Sequence, residues 1–198
     1  MATLAQLQTP EKIQDYLDSI PFNFETSGET CKPPLLTLKE ENAHCIEGAL
    51  LAAAALQCAG HKPLIMSLKV LSPDFDHVVA LFKRNGYWGA ISKTNHAVLR
   101  YRDPVYKTAR ELAMSYFHEY FLADGKKTLV GYSKPINVNR FGKNWIRAKE
   151  DLWNIAEIVY DGPHISLVPK VNKKLLRKAS LVERKAASIP EWSAKKNV

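Results

Sequence analysis

Long apolar runs are missing from this sequence. No stretch approaches the ~18 consecutive apolar residues of a membrane-crossing helix, so no membrane partner is expected. The first ten residues, Met1 to Pro10, lack the basic head and apolar middle of a secretory leader. Cysteine is scarce: Cys31, Cys45 and Cys58 are all there is. An odd count without an export signal speaks against a disulfide framework and for reduced thiols in a cytoplasm, with at least one thiol unpaired. The sequence has no CxxC, HxxxH or HExxH, and His44 beside Cys45 does not by itself make a metal site. Neither metal nor cofactor is expected.

Acidic residues run short in one region only. The chain carries a net charge of +8 over 198 residues. From Lys170 to Val198 there are nine basic residues and two acidic ones, Glu183 and Glu191, which accounts for seven of the eight charges. Residues 1–169 are then nearly neutral and are expected to form one domain, with 170–198 a basic, mobile tail. Nucleic-acid or acidic-partner binding through that tail would need interleaved aromatics, and only Trp192 is offered. A hydrophobic fraction of 46% against 24% charged excludes disorder throughout.

Thr9-Pro10-Glu11 predicts a helix start, with Thr9 as N-cap and Pro10 in the first helical position. Ile13, Tyr16, Leu17 and Ile20 continue it at helical spacing, and Phe22 to Pro34 reads as a long surface connection. A second helical signal starts near Thr37, with Glu40 as capping-box partner, and leads into Ala43–Ala59, closed by Gly60. Ala49 to Leu56 has no polar face, which predicts a buried central helix. Strands are expected at Pro63–Leu71, His77–Lys83 and Tyr87–Thr94, the last two joined by an Asn85-Gly86 hairpin turn. Asp103-Pro104 is read as starting a helix to about Phe121. A strand near Thr128–Tyr132 and a helix around Asp151–Ile158 complete the pass.

The order is a buried helix with a cysteine in its first turn, then an antiparallel hairpin that begins with histidine. Unpaired N–H groups and the positive dipole end at a helix start stabilise anions. A cysteine there has a lowered pKa, and its thiolate is the nucleophile. The same N–H groups can hold an oxyanion, with Asn42 as a further donor candidate. A histidine on a rigid strand can serve as base and then as acid. With Asn85 and Gly86 as turn residues, cross-strand partners sum to 171, so His77, Ser92 and Thr94 share a face. The group that orients His77 is therefore expected at Ser92, Thr94 or just beyond, at Asn95. Cys58 is expected in the core and Cys31 in a loop without a role. Asp103 is expected as an N-cap, and Arg100 and Arg102 on a solvated edge.

Cys45-Ile46-Glu47-Gly48-Ala49, Gly60-His61-Lys62-Pro63, Asp76-His77-Val78-Val79 and Gly86-Tyr87-Trp88 resemble the transglutaminase-like superfamily of cysteine enzymes. The resemblance covers roughly Leu36 to Asn95. The run Arg100-Tyr101-Arg102-Asp103-Pro104 and the segment from Arg110 to Phe117 are similar to small bacterial members. It implies an α+β, papain-like core, with the Ala-rich helix packed on an antiparallel sheet. It also implies thiol-dependent acyl transfer or hydrolysis on a peptide or small amide substrate, with Cys45 as nucleophile and His77 as base. The family's aspartate falls four residues after the hairpin tryptophan, and here that position is Ser92. Ser92 or Asn95 would then orient the imidazole. The same departure leaves an inactive binding or scaffold domain as the alternative.

Overall fold

The computed structural model describes residue 4 and residues 6–142 and 144–194. Helix α1 (Pro10–Ser19) starts as its sequence requires: the Thr9 hydroxyl accepts the Lys12 N–H at 3.3 Å, and Pro10 sits at the first turn. Its inner face buries Ile13, Leu17 and the polar Gln14.

The second helical signal resolves into two helices. Pro33 and Pro34 start α2 (Pro34–Glu40), which ends at Glu41 in the left-handed conformation, φ 52°. Thr37 is inside α2, its hydroxyl bonded back to the carbonyl of Pro33, so it is no N-cap. The central helix α3 (Cys45–Cys58) is instead capped at His44, whose N–H is accepted by the Glu47 carboxylate at 3.1 Å. From Ile46 to Leu56 every residue is buried. Gly60, at φ 86°, closes it. The cysteine expectations invert: Cys58, at the end of α3, is exposed, and Cys31 is buried. The connection from Phe22 to Pro34 is a surface loop only in part, since residues 31–34 are buried.

The sheet comprises β1 (Leu64–Val70), β2 (His77–Arg84), β3 (Tyr87–Ile91), β4 (Arg102–Tyr106), β5 (Leu129–Ser133), the short β6 (Ile136–Asn137) and β7 (His164–Ser166). Its order is β4-β3-β2-β1-β5-β7, with β6 also on β1, and all these pairs are antiparallel. The β2–β3 hairpin has the expected register, from Arg84 opposite Tyr87 to Ala80 opposite Ile91. Asn85 and Gly86 turn with φ of 52° and 86°. The regular ladder ends at Ile91, short of the expected Thr94.

Both faces of β2 are covered, which is why it reads as a continuous apolar run. Val78, Ala80 and Phe82 join the core formed with α1, α3 and α5 (Trp153–Asp161). Val79 and Leu81 pack with Leu112, Ala113 and Tyr116 on the opposite face. The helix expected from Asp103 is a correction. Residues 102–106 form edge strand β4, and Pro104 falls within the irregular stretch of its pairing with β3, where proline is tolerated. The helix there, α4 (Ala109–Met114), starts at the Thr108 cap. Asp103 therefore caps nothing, and Arg102 pairs with Glu119 at 2.6 Å.

The C-terminal segment is exposed over residues 170–178 and meets the domain from Lys178 to Trp192. It holds α6 (Leu181–Ala187), capped by Ser180 and Glu183, and then runs beside residues 95–97. The Ala97 N–H donates to the Ile189 carbonyl at 3.1 Å, and the Glu191 N–H donates to that of Asn95 at 3.0 Å. Lys195 and Lys196 lie outside the described residues. Among the described residues no helix is long and apolar enough to cross a membrane.

Candidate active site

Cys45 opens α3, half-buried at the wall of a cavity of about 1040 Å³ that His44 and His77 also line. Its place follows from two sequence features. The Glu47 carboxylate fixes the helix start, and Gly48 lets α3 lie directly on Lys93, with which a Cβ at that position would collide. Glu47 is fully buried but satisfied, accepting from the Thr30 hydroxyl at 2.8 Å, Asn23 Nδ2 at 3.1 Å and the Lys32 N–H at 3.1 Å.

Burial alone would push the Cys45 thiol up. Hydrogen bonds from His44 and His77, and their charge, outweigh it and bring the thiol down to about 5. His44 is the residue that sequence reasoning set aside. Burial works against its charged form, but Cys45, Glu47 and the Thr30 carbonyl together lift it to about 9. Its Nε2–H donates to the Thr30 carbonyl at 2.9 Å, with Glu25 at 3.5 Å and Glu47 at 3.7 Å. Both imidazoles therefore act on Cys45, and all three side chains line the same cavity. The only sequence signal was the pair His44-Cys45 followed by Glu47, which is legible once the helix start is known.

The imidazole of His77 is oriented by Ser92. His77 Nε2 and Ser92 Oγ are 2.7 Å apart, and Ser92 Oγ donates to the Leu99 carbonyl at 2.5 Å. A hydroxyl has one proton. With that proton on Leu99, Ser92 must accept from the Nε2–H of His77, which leaves Nδ1 as the ring nitrogen able to take a proton. Leu99 is held in a left-handed conformation, φ 63°, with its N–H on the Glu119 carboxylate at 2.7 Å. The backbone of Ser92 is clamped by Gln14, which accepts its N–H at 2.9 Å and donates to its carbonyl at 2.8 Å.

Of the other expected site residues, Asn95 lines the cavity, but its side chain is bonded at both ends to the Trp192 backbone and not to His77. The Thr94 hydroxyl accepts the His96 N–H. Asn42 is not among the cavity-lining residues. Its Oδ1 takes the Lys32 ammonium at 2.5 Å and its amide donates to the Glu40 carbonyl, so it offers no donor to an oxyanion. Asp76 bonds Lys69 at 2.7 Å and the Val70 N–H at 2.8 Å. Two tyrosines carried no sequence signal. Tyr160 on α5 brings its hydroxyl to 4.0 Å from Cys45 Sγ. Tyr120 lines the cavity almost wholly buried, and its hydroxyl has no hydrogen-bond partner among the described residues.

The arrangement is a mixed α+β domain with a cysteine at a helix start and, on an antiparallel sheet, a histidine whose Nε2–H is held by Ser92. Comparison of the sequence with models of known families gives no match, and a search of curated proteins gives none either.

Proposed function

We propose that the chain is a papain-like, transglutaminase-like cysteine enzyme that transfers or hydrolyses acyl groups of amide or ester substrates. The observation that carries this is Cys45 at the start of α3, on one cavity wall with His44 and His77, with the Nε2–H of His77 committed to Ser92. The thiolate attacks the carbonyl carbon and pushes the electron pair onto oxygen, where the free N–H groups at the start of α3 meet it. Collapse breaks the bond to the leaving amine or alcohol, which takes the proton from His77. An acyl-thioester on Cys45 remains. His77, now neutral, takes a proton from water or an amine as that nucleophile attacks, and the thiolate leaves.

The pH dependence of alkylation at each of the three cysteines tests this. Cys45 should react with iodoacetamide well below the ordinary thiol range near pH ~8.5, while buried Cys31 stays inert. Replacing His77 by Ala should raise the apparent pKa of Cys45. A Cys45 that reacts only in that ordinary range removes the enzyme reading. One observation favours the second reading, a binding or scaffold domain on the same fold: the partner of His77 is a hydroxyl, which brings no charge to hold an imidazolium.

A further inference from the structure

We propose that the cavity beside Cys45 takes substrates bearing a cationic group, an alkylammonium or guanidinium, seated on the wall formed by α5. This rests on the enzyme reading above and names its substrate class. Trp153, Glu157, Tyr160 and Asp161 all line the cavity, at the spacing of one helical face. Tyr160 fixes where that face stands, because its hydroxyl is the one 4.0 Å from the Cys45 sulfur. Glu157 and Asp161 therefore flank the residue that touches the nucleophile. Two like charges four residues apart on a helix repel. Neither side chain has a hydrogen bond or ion pair among the described residues, and the same holds for Glu29 on the cavity wall.

The cations of the cavity do not cancel them: His44, raised to about 9, faces Glu25 at 3.5 Å and Glu47 at 3.7 Å. Lys69 is held by Asp76 at 2.7 Å and by the Tyr160 carbonyl at 3.1 Å. The Lys93 ammonium points away, onto the carbonyls of Leu17 and Ile20. Burial keeps His96, also on the lining, below its ordinary pKa and therefore neutral. The rim adds exposed aromatic faces, Phe75 at 85% and Trp153 at 43%, which attract cations over apolar surface. A second observation is independent of the carboxylates. The Tyr120 hydroxyl, 3% exposed as a residue and on the same lining, has no partner among the described residues, and a bound polar group, an N–H donor included, would satisfy it. The net charge of +8 works against cation binding in general, so an acidic cavity wall is a local arrangement and no consequence of composition.

The test uses the full chain and three alkylating reagents of different charge: 2-bromoethylammonium, iodoacetamide and iodoacetate. Exposed Cys58 is the internal reference. The Cys45:Cys58 rate ratio is expected to be highest for the cationic reagent, exceeding that for iodoacetate by roughly tenfold at low salt and collapsing at high salt. In Glu157→Gln/Asp161→Asn the preference for the cation should disappear. A ratio that favours iodoacetate, or a cation preference unmoved by the double substitution, overturns the proposal. If Cys45 reacts no faster than Cys58 with any reagent, the nucleophile reading fails on its own. Binding to Cys45→Ala then decides the cation site, followed by NMR with acetyl-arginine methylamide, butylamine and acetyl-glutamate methylamide. Arginine alone binding points to a side chain of the attacked peptide, and butylamine binding as well points to a free amine acceptor. Binding of neither cation, or of glutamate equally, sinks the proposal.

Discussion

At the scale of single residues, Ser92 decides how far the site resembles a charged triad. Its hydroxyl must accept from His77 and donate to the Leu99 carbonyl at once. A carboxylate cannot donate. Ser92→Asp should therefore fail to build a better triad, because it would face the Leu99 carbonyl with two acceptors in a buried place. We expect it to lose about 1–3 kcal/mol of stability by denaturant titration and to slow Cys45 alkylation. Ser92→Thr, which keeps both hydrogen bonds, should retain the low thiol pKa. A more reactive Ser92→Asp would show that charge, and not the donor to Leu99, is what the position lacks.

The thiolate–imidazole pair also sets how stability depends on pH. Cys45 binds fewer protons folded than unfolded between about 5 and its ordinary 9.0, so its contribution grows with pH and is lost as pH falls toward 5. His44 is shifted the other way, from 6.5 to about 9, so its contribution is lost as pH rises through that window. The two slopes oppose each other above 6.5. Wild-type stability should rise between pH 5 and 6.5 and then level relative to Cys45→Ser, in which the rise is absent. Equal slopes in both proteins, measured by chemical denaturation, would show that no such pair exists.

At the scale of elements, α1 does more than cover the sheet. Its Gln14 reaches across the core to hold both backbone groups of Ser92, so the first helix positions the group that orients His77. Gln14→Leu keeps the apolar face but leaves a buried N–H and C=O unmet. It should cost roughly 2–4 kcal/mol for two lost partners and raise the pH midpoint of Cys45 alkylation. A change in stability without a change in that midpoint would confine Gln14 to packing. Nothing in the sequence marks Gln14 as buried or says which backbone it meets.

At the scale of the whole molecule, the C-terminal segment closes over the turn that follows β3. Asn95 exchanges two hydrogen bonds with the Trp192 backbone, and Arg100 pairs with Glu191 at 3.0 Å. Truncation after Ser188 removes these together with the acceptor for the Ala97 N–H. We expect a loss of about 1–3 kcal/mol and slower alkylation of Cys45, since residues 92–96 carry both Ser92 and part of the cavity wall. Unchanged stability on truncation would make the docking energetically idle.

The sequence by itself determined the local features that sterics and short-range hydrogen bonds control. These are the Thr9 cap, the Asn85-Gly86 turn with its register, the buried alanine-rich helix, and Cys45 at the start of that helix. Register carried furthest, because side chains alternate with a period of two, and it puts Ser92 and Thr94 on the face of His77, leaving the structure to choose Ser92. Tertiary structure decided what depends on contacts between distant segments. It put Pro104 in an edge strand, within the irregular stretch of its pairing with β3, and it buried Cys31 while exposing Cys58. It turned Asn95 toward Trp192, 97 residues away, and brought Tyr160 to the sulfur from α5. Such pairings follow from the packing of whole elements, and no window of sequence holds both partners.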